Sequence, residues 1–346
     1  MNKLAIIGYF AGGNPVSDGQ GVKTKILTEE IEQALGKESV LRIDTFDWRR
    51  NPLALFWACI KAVRTHKNVV LMTDSGGIKV FPWLLRLAGI GSSCRISYVV
   101  IGGWLVHFLK NRPWLAKCLK GLHNVFVETQ VMEKGLEALG FSNVKLMVNC
   151  KPLVPLEEGE LVYSQTEPYR FCIFSRVMIE KGIEDAVEAV RTINTQFGRS
   201  ICSLDIYGHV DARQQAWFDN LVKTFPSDVR YCDVVPYGES VQVVKKYFAL
   251  LFPTKFFTEG IPGTIIDAYA AGVPVVASAW ESHMDIIDNG YTGLTYSFGD
   301  REALIEAMKK LICNPQFAFG MKTQCLEKAK EYLPQNVIHI LLDSLQ

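Results

Sequence analysis

The stretch TEGIPGTIIDAYAAGVPVV, residues 258–276, places an acid beside a glycine, an apolar helical segment in the middle and a Gly-x-Pro turn at its end. The apolar run before it, residues 250–252, is typical of a buried strand, and residues 275–277 are typical of the next strand. We expect the helix between them to begin near Pro262 or Gly263, because proline is tolerated in the first turn of a helix. A strand, a helix and a strand in this order predict one unit of a parallel sheet.

The residues in front of this helix indicate a binding site. Gly260 and Gly263 leave the loop without side chains, so backbone N–H groups and the positive end of the helix can approach an anion closely. A phosphate is the anion that such a site usually binds. Glu259 lies before the helix and Asp267 about one turn inside it. Since a carboxylate accepts two hydrogen bonds at once, these acids predict contacts with paired hydroxyls of a sugar and of a ribose.

The same alternation of strand and helix runs through the chain in two series. In the first series, apolar runs predict strands at residues 4–8, 40–43, 69–72, 96–101, 125–127 and 144–148. Pro152 and Pro155, followed by three glutamates, predict a linker. In the second series, the pattern predicts strands at residues 170–174, 204–207, 229–231, 250–252 and 275–277, with helices at 183–197 and 212–225. The sequence therefore predicts an α/β protein of two Rossmann-like, doubly wound domains.

The domain limits follow from these two series. We place the first domain at residues 1–152 and the second at residues 153–320. The last stretch, residues 321–346, has helical spacing, and we expect it to pack back on the first domain. Ligands of open α/β sheets bind at the carboxyl ends of the strands, and we expect the ligand there.

Composition excludes several classes of protein. The nine cysteines include no Cys-x-x-Cys pair and the six histidines are scattered, which argues against a disulfide framework, a zinc cluster or another metal site. An acid, Asp18, precedes any long apolar run, so we predict no secretory signal peptide and expect a cytoplasmic protein. The segment GYFAGG with Asp44 imitates a dinucleotide-binding fingerprint. Because its glycines do not follow the Gly-x-Gly-x-x-Gly spacing, a nicotinamide dehydrogenase is the weaker interpretation.

Charge is distributed unevenly along the chain. The net charge of +1 combines +8 in residues 1–150 with −7 in residues 151–346. Residues 75–127 contain seven basic residues and no acid, and they also contain the aromatic residues Phe81, Trp83, Trp104, Phe108 and Trp114. Two interpretations stay open: a solvated basic face, or peripheral attachment to an anionic membrane surface.

The order Glu259, Gly260, Pro262 and Asp267 resembles the E-x7-E signature of the retaining family 4 glycosyltransferases, with Asp in place of the second Glu. The match continues through Ala268, Ala271, Gly272, Pro274 and Val275. The resemblance implies the GT-B fold, in which two Rossmann-like domains face each other across a cleft. It also implies that Glu259 binds hydroxyls of the donor sugar and Asp267 those of the ribose.

Other segments carry the same resemblance. FSRVMIEKGIEDAVEAV, residues 174–190, resembles the family's Gly-Arg-x-x-x-x-Lys-Gly segment, which implies that Arg176 and Lys181 bind the donor diphosphate. These cations would stabilise the charge that a leaving nucleoside diphosphate gains. DGQGVKT, residues 18–24, resembles the glycine loop after the first strand, and YCDVVPYGE, residues 231–239, lies where the family usually holds the base.

The resemblance implies a list of contacts. The implied catalytic residues are Arg176, Lys181 and Glu259, and the implied donor-binding residues are Gly19, Gln20, Gly21, Gly260, Ile261, Pro262, Gly263, Thr264 and Asp267. The candidate acceptor-side residues are Asp18, Gly102, Gly103 and His107. His107 either binds a sugar or packs on its helix, and packing is the favoured interpretation. Asp18 and Asp74 either orient an acceptor hydroxyl or cap a loop.

The implied function is that of a metal-independent hexosyltransferase that uses no cofactor and moves a sugar with retention from a nucleotide-diphosphate sugar to a glycan hydroxyl. A UDP-sugar is favoured over a GDP-sugar, and the glycan is expected to be a lipid-linked intermediate of a bacterial surface polysaccharide. We expect no nucleic-acid partner. Two alternatives remain: a sugar-nucleotide 2-epimerase of the same fold, and a non-catalytic partner protein that binds a nucleotide sugar.

Overall fold

The computed structural model describes residues 4–13, 19–46, 48–163, 166–236 and 238–346. The chain forms two compact units. The first consists of Met1–Lys151 and Pro334–Gln346, and the second of Pro152–Leu333. Each unit contains a parallel sheet with helices on both faces, which confirms the predicted pair of Rossmann-like domains.

In the described part of the first unit, six parallel strands form one sheet in the order β2-β1-β3-β4-β5-β6. The strands are β1 Leu4–Gly8, β2 Val40–Asp44, β3 Asn68–Met72, β4 Arg95–Val99, β5 Asn124–Val127 and β6 Val144–Leu146. The helices between them are α1 Gly19–Leu35, α2 Pro52–Thr65, α3 Phe81–Ala88, α4 Leu105–Lys110, α5 Pro113–Lys120 and α6 Gln130–Ala138.

The described part of the second unit also has a sheet of six parallel strands, in the order β12-β11-β10-β7-β8-β9. The strands are β7 Tyr169–Phe174, β8 Cys202–Tyr207, β9 Val229–Tyr231, β10 Ala249–Phe252, β11 Val275–Ser278 and β12 Gly293–Tyr296. The helices are α7 Ile183–Phe197, α8 Gln215–Val222, α9 Ser240–Val244, α10 Gly263–Ala270, α11 Arg301–Cys313, α12 Pro315–Gly320 and α13 Lys322–Lys330.

The last helix, α14 Pro334–Ser344, belongs to the first unit, where it packs on α1. The preceding helix, α13, packs on α10 in the second unit. The chain therefore returns to the first unit at Pro334, whereas the predicted returning segment began at residue 321. Apolar side chains cause this division, because Val337 and Leu341 of α14 are buried with Ile6 and Leu27 of the first unit.

Alternation along the strands separates the two faces of the first sheet. Ile7 and Leu71 are buried with side chains of α2, α3 and α5, whereas Ile6 and Val70 are buried with side chains of α1 and α14. Successive side chains of a strand point to opposite faces, so a strand covered on both sides is apolar throughout. The whole of β1, LAIIG, is buried in this way.

The strand orders determine where each sheet can hold a ligand. The order reverses between β1 and β3 in the first unit and between β7 and β10 in the second. The loops that leave two such strands turn to opposite faces of the sheet and leave a crevice at their carboxyl ends, which is the usual ligand site of this architecture. Each unit therefore has one such crevice.

Candidate active site

A polar cluster of the second unit lies where β7 and β10 end side by side. Lys181 closes the 3-10 turn Ile179–Lys181 after β7, and Glu259 lies in the loop after β10. The ammonium of Lys181 donates a hydrogen bond to Oε1 of Glu259. Two residues that the sequence motifs singled out separately therefore meet at the switch point of the sheet.

Further contacts orient this ion pair. The hydroxyl of Thr254 donates to the same Oε1 of Glu259 at 3.0 Å, and the hydroxyl of Ser282 donates to the backbone oxygen of Glu259 at 2.8 Å. The ammonium also lies 5.2 Å from the ring centre of Phe256, within the range of a cation–π contact. Oε2 of Glu259 has no hydrogen-bond partner in the part of the chain that the structure describes. That oxygen is available to accept from a ligand hydroxyl.

Glycine allows the loops around the pair to approach one another. Gly182 has φ +71°, and a Cβ there would lie 1.9 Å from the carbonyl oxygen of Pro253. At Gly208, after β8, a Cβ would lie 1.8 Å from the carbonyl oxygen of Ser175. A side chain at either position would push the neighbouring loop away. The loops that follow β10, β7 and β8 are thus in direct backbone contact.

Arg176 lies in the loop after β7, beside an ionised carboxylate. Its Nη1 is 3.6 Å from Oδ2 of Asp211, which also receives a hydrogen bond of 2.9 Å from Nη2 of Arg213. The hydrogen bonds from Arg213, with the charge of Arg176, hold the pKa of Asp211 well below its usual range. Because Asp211 stays ionised near neutral pH, it can hold Arg176 in place while part of the guanidinium remains exposed.

The predicted anion site is the start of α10. The helix begins at Gly263, directly after Pro262, so the first backbone N–H groups face the loop that contains Glu259, Gly260 and Ile261. The hydroxyl of Thr264 is buried there and has no hydrogen-bond partner among the described residues. A buried polar atom without a partner is uncommon, and it lowers stability unless a ligand or water forms a hydrogen bond with it. This feature supports anion binding at the helix start.

Asp267 is a buried acid with a partner in a neighbouring helix. It lies inside α10, is buried to 3% exposure, and its Oδ1 accepts a hydrogen bond of 2.9 Å from the hydroxyl of Ser240 in α9. The loop after β9 contacts the loop after β8, since the N–H of Gly208 donates to the backbone oxygen of Asp233. Asp233 has φ +61°. Strained backbone conformations of this kind cluster at functional sites. The role of Asp267 toward a ribose stays a prediction.

In the first unit, the predicted glycine loop is the first turn of a helix. Gly19, Gln20 and Gly21 begin α1, while Asp18 lies outside the described residues. Two residues later, Lys23 forms a buried ion pair of 2.6 Å with Glu128, at the end of β5. Lys23 lies in the predicted glycine loop, residues 18–24, but neither Lys23 nor Glu128 was predicted as a site residue. The position of Glu128 directly after a predicted apolar strand was the signal that could have found it.

Glu128 also contacts the predicted acceptor-side loop. The N–H of Gly102, whose φ is +84°, donates to Oε1 of Glu128 at 3.0 Å, and Gly103 is buried beside it. His107 lies half-buried in α4. The structure therefore joins Gly102 to Lys23 through Glu128. For His107, both interpretations, packing on its helix or contact with a sugar, stay predictions.

The switch point of the first sheet borders a cavity of about 450 Å³. It is lined by residues that follow β1, β2 and β3 and by the start of α1: Tyr9, Gln20, Thr45, Trp48, Arg49, Thr73, Asp74, Gly76, Gly77 and Phe81. The hydroxyl of Thr73 is buried without a partner among the described residues. Oδ1 of Asp74 accepts from the N–H groups of Gly76 and Gly77 at 3.0 and 2.7 Å, which is loop capping.

No group of three or more His, Cys, Asp or Glu side chains within the described ranges could hold a metal ion. No helix in that part of the chain is both long and apolar enough to cross a membrane.

The second unit matches a known family. Residues 168–314 match the family described as Glycosyl transferases group 1. The amylovoran biosynthesis glycosyltransferase AmsK of Erwinia amylovora is 26% identical over 153 residues, which cover 42% of this chain and 36% of that protein.

Solved structures match both units. The sucrose-phosphate synthase of Thermosynechococcus elongatus has a TM-score of 0.77 at 14% identity, covering 99% of this chain and 98% of that one. HepE of Anabaena, solved in complex with UDP, has a TM-score of 0.78 at 12% identity, covering 99% of each chain. At such low identity these matches show the fold. The predicted resemblance is confirmed at the level of the glycosyl transferases group 1, to which the chain is similar through residues 168–314, and its fold is GT-B.

Proposed function

We propose that this protein is a retaining glycosyltransferase that moves a sugar from a UDP-sugar to a hydroxyl of a glycan. The observation that carries this proposal is the Lys181–Glu259 pair at the switch point, beside the start of α10 and the unpartnered hydroxyl of Thr264. A cation, a sugar-binding carboxylate and a helix start in one place suit a diphosphate that is attached to a sugar. The acids Glu259 and Asp267 also keep the spacing of the retaining family 4 signature.

The donor is assigned to the second unit. Arg176 and Lys181 bind the diphosphate, with the N–H groups of Gly263 and Thr264 and the Thr264 hydroxyl. Oε2 of Glu259 accepts from hydroxyls of the sugar. Asp267, positioned by Ser240, accepts from the ribose. HepE, solved with UDP and with UDP-glucose, supports a UDP-sugar as donor.

In the proposed reaction, the bond between the anomeric carbon and the phosphate oxygen breaks while the acceptor oxygen bonds to the same face of that carbon. The acceptor proton moves to the leaving phosphate oxygen, so no side chain bonds covalently to the sugar. The leaving diphosphate gains charge, and Arg176 and Lys181 stabilise that charge without a metal ion. A group positioned for developing charge contributes about 10²- to 10³-fold in rate.

The acceptor is assigned to the first unit. The cavity there offers the faces of Tyr9 and Trp48 for packing against sugar rings, and Thr73, Asp74 and Arg49 for hydrogen bonds with hydroxyl or phosphate groups. Gly102, Gly103 and His107 follow β4 in the same unit. The similarity to AmsK, a polysaccharide biosynthesis enzyme, supports a lipid-linked saccharide of a bacterial surface polysaccharide as acceptor.

A thermal-shift panel tests the donor assignment. UDP, GDP, ADP and their common sugars are added to the wild type, to Glu259→Ala, to Arg176→Ala and to the surface control Lys223→Ala. A ligand at about 100 times its Kd stabilises by about 2.7 kcal/mol, which is readily measured. We expect a shift with UDP that Arg176→Ala reduces, and an additional shift with the matching UDP-sugar that Glu259→Ala abolishes. If no nucleotide shifts the wild type, the donor site is wrongly assigned.

Product analysis separates the reactions that share this fold. A glycosyltransferase releases UDP only when an acceptor is present, and the anomeric configuration of its product is that of the donor. Release of a UDP-sugar altered at C2 would identify an epimerase. A thermal shift with no turnover on any acceptor tested would favour a non-catalytic binding protein.

A further inference from the structure

Three neighbouring helices of the first unit expose large apolar side chains. Helix α3 packs against both α2 and α5, and the inner sides of all three cover one face of the sheet. Their outer sides and the turn after α3 carry five apolar residues that are between 46% and 73% exposed: Leu53, Trp57, Leu87, Ile90 and Trp114. We call these five residues, with the helices that carry them, the α2-α3-α5 face. Monomeric proteins seldom expose so many large apolar side chains close together.

The same helices are positively charged. Residues 48–127 contain twelve Lys and Arg but one acid, Asp74, and α2, α3 and α5 contain no acid. On α2, four of the exposed residues form one stripe at helical spacing: Leu53, Trp57, Lys61 and Arg64. On α5, Trp114 is followed at the same spacing by the exposed Lys117. Apolar and basic side chains therefore share each outer surface.

The aromatic residues of this face differ from those that the sequence analysis considered. Phe81 is buried in the core, and the indole N–H of Trp104 donates to the carbonyl oxygen of Ile101. Phe108 is covered by the guanidinium of Arg112, 3.9 Å from the ring centre. Trp114 remains exposed and stacks on Trp83, which links α5 to α3. Helix α2, outside the predicted segment, contributes the most exposed residues, Leu53 and Trp57.

We propose that the α2-α3-α5 face binds the surface of a membrane that contains anionic lipids. Tryptophan prefers the interface between headgroups and acyl chains, and leucine and isoleucine enter the acyl region beside it. Lysine and arginine next to them attract anionic headgroups. On a face that only contacts water, the basic residues would be well solvated. Exposure of Leu53, Trp57 and Ile90 to water would not stabilise the protein.

The alternative occupant, a second copy of this chain, is disfavoured by charge. Two identical faces would bring together basic residues with no acid on the three helices to neutralise them. An anionic membrane neutralises the same charges. The inference does not depend on the proposed function, because it needs neither a nucleotide nor an acceptor.

Sedimentation with lipid vesicles tests this proposal without donor or acceptor. The vesicles contain either phosphatidylcholine alone or phosphatidylcholine and phosphatidylglycerol in equal amounts. We expect wild-type protein to sediment with the anionic vesicles and to remain in solution with the neutral ones. Binding should weaken at least about tenfold near 1 M salt, where the Debye length falls to about 3 Å.

Matched variants locate the surface. Lys61→Glu combined with Lys117→Glu should weaken binding to anionic vesicles at least about tenfold, since each cation near the surface contributes about fivefold. Trp57→Ser combined with Trp114→Ser should also weaken it at least about tenfold. The controls Lys223→Glu and Tyr291→Ser change an exposed charge and a 67% exposed aromatic in the second unit, and both should bind as wild type does. Circular dichroism and the UDP thermal shift check that the variants are folded.

Three results would overturn the proposal. The first is equal sedimentation with neutral and anionic vesicles, or none with either. The second is a loss of binding in the control variants as large as in the variants of the face. The third is concentration-dependent dimerisation that Trp57→Ser abolishes, which would identify the face as an interface between two copies. Because nucleotide binding is measured separately, a failure here leaves the donor assignment unchanged.

Discussion

The ammonium of Lys181 and the carboxylate of Glu259 form a hydrogen-bonded ion pair between residues 78 positions apart in the sequence, and each side chain is 17% exposed. The pair forms because β7 and β10 are neighbours in the sheet although two strands lie between them in the chain. Each partner therefore depends on the other for its position. A ligand that binds one of the two side chains therefore binds in a geometry that both side chains determine.

Substitution of the pair should give non-additive losses of activity. Lys181→Ala and Glu259→Ala should each lower kcat/KM by about 10²-fold or more, because each removes a charge placed at the reacting groups. The double variant should lose much less than the product of the single losses, since neither residue acts fully without its partner. Steady-state kinetics of the four proteins measure this. The exposed pair Arg199 and Glu167 is the control, and Arg199→Ala should leave kcat/KM unchanged. Additive losses would show that the two residues act independently.

Replacement of the Thr264 hydroxyl should weaken ligand binding without lowering the stability of the free protein. Thr264→Val removes a buried oxygen that has no partner among the described residues, so the melting temperature of the free protein should stay the same or rise. If the hydroxyl binds a phosphate, the Kd for UDP should increase about tenfold or more, since a hydrogen bond to a charged group contributes about 1.5 to 3 kcal/mol. Calorimetric titration measures the Kd. Thr195→Val, on the exposed side of α7, is the control. An unchanged Kd would exclude Thr264 from the phosphate site.

The glycines at the two ends of α7 should differ in their tolerance of a side chain. Both have left-handed backbones, with φ of +71° at Gly182 and +63° at Gly198. A Cβ at Gly198 would meet no atom within 4 Å, so Gly198→Ala should cost about 1 to 2 kcal/mol of unfolding free energy from backbone strain alone. Gly182→Ala adds the clash with Pro253, and should cost at least about 3 kcal/mol. Urea denaturation measures both, and equal costs would contradict the close loop contact.

Stability should depend on pH through Lys322. This lysine is buried under the end of α10, where its ammonium donates to the carbonyl oxygen of Gly272 at 3.2 Å, and burial lowers its pKa to about 8. As pH falls from about 10.5 to about 8, the unfolded chain binds the proton before the folded chain does, so folding loses stability across this window. The full cost, about 3 kcal/mol, is present below pH 8.

Lys322→Met removes that cost and should have a higher free energy of unfolding than the wild type near neutral pH. The difference should shrink as pH rises toward about 10.5, because the wild-type lysine then becomes neutral in both states. Urea denaturation of both proteins across this range measures the difference, in which the titration of tyrosines and cysteines cancels. A difference that does not change with pH would show that Lys322 keeps an ordinary pKa.

Periodicity predicted the sheets well because their strands are buried on both faces. The predicted strand at residues 4–8 agrees with β1, and the predicted helix at residues 183–197 agrees with α7. The exception is β12, Gly293–Tyr296, which was not predicted. Its four residues, Gly-Leu-Thr-Tyr, follow the turn residues Asn289 and Gly290 and include glycine and threonine, so they form no continuous apolar run. Its place at the edge of the sheet, paired with β11, is determined by tertiary packing.

Motif spacing predicted the residues of the candidate site, but not the partners of those residues. Arg176, Lys181 and Glu259 could be named because their segments resemble motifs of the glycosyltransferase family, whereas their pairing depends on which strands are neighbours. The burial of Asp267 against Ser240 depends on how α9 packs on α10, and no local pattern reports that contact. The sequence pattern also did not predict which aromatic side chains are exposed. Phe81 lies in the core and Trp57 on the surface, although the pattern does not distinguish them.

The position of Glu128 has a consequence for protein engineering. Its carboxylate holds Lys23 at the start of α1 and the N–H of Gly102 after β4, so three separate segments share one anchor. A loop graft from a homologue that replaced only one of these segments would leave a buried charge without its counterpart. An exchange of these loops between homologues should therefore transfer residues 23, 102 and 128 together.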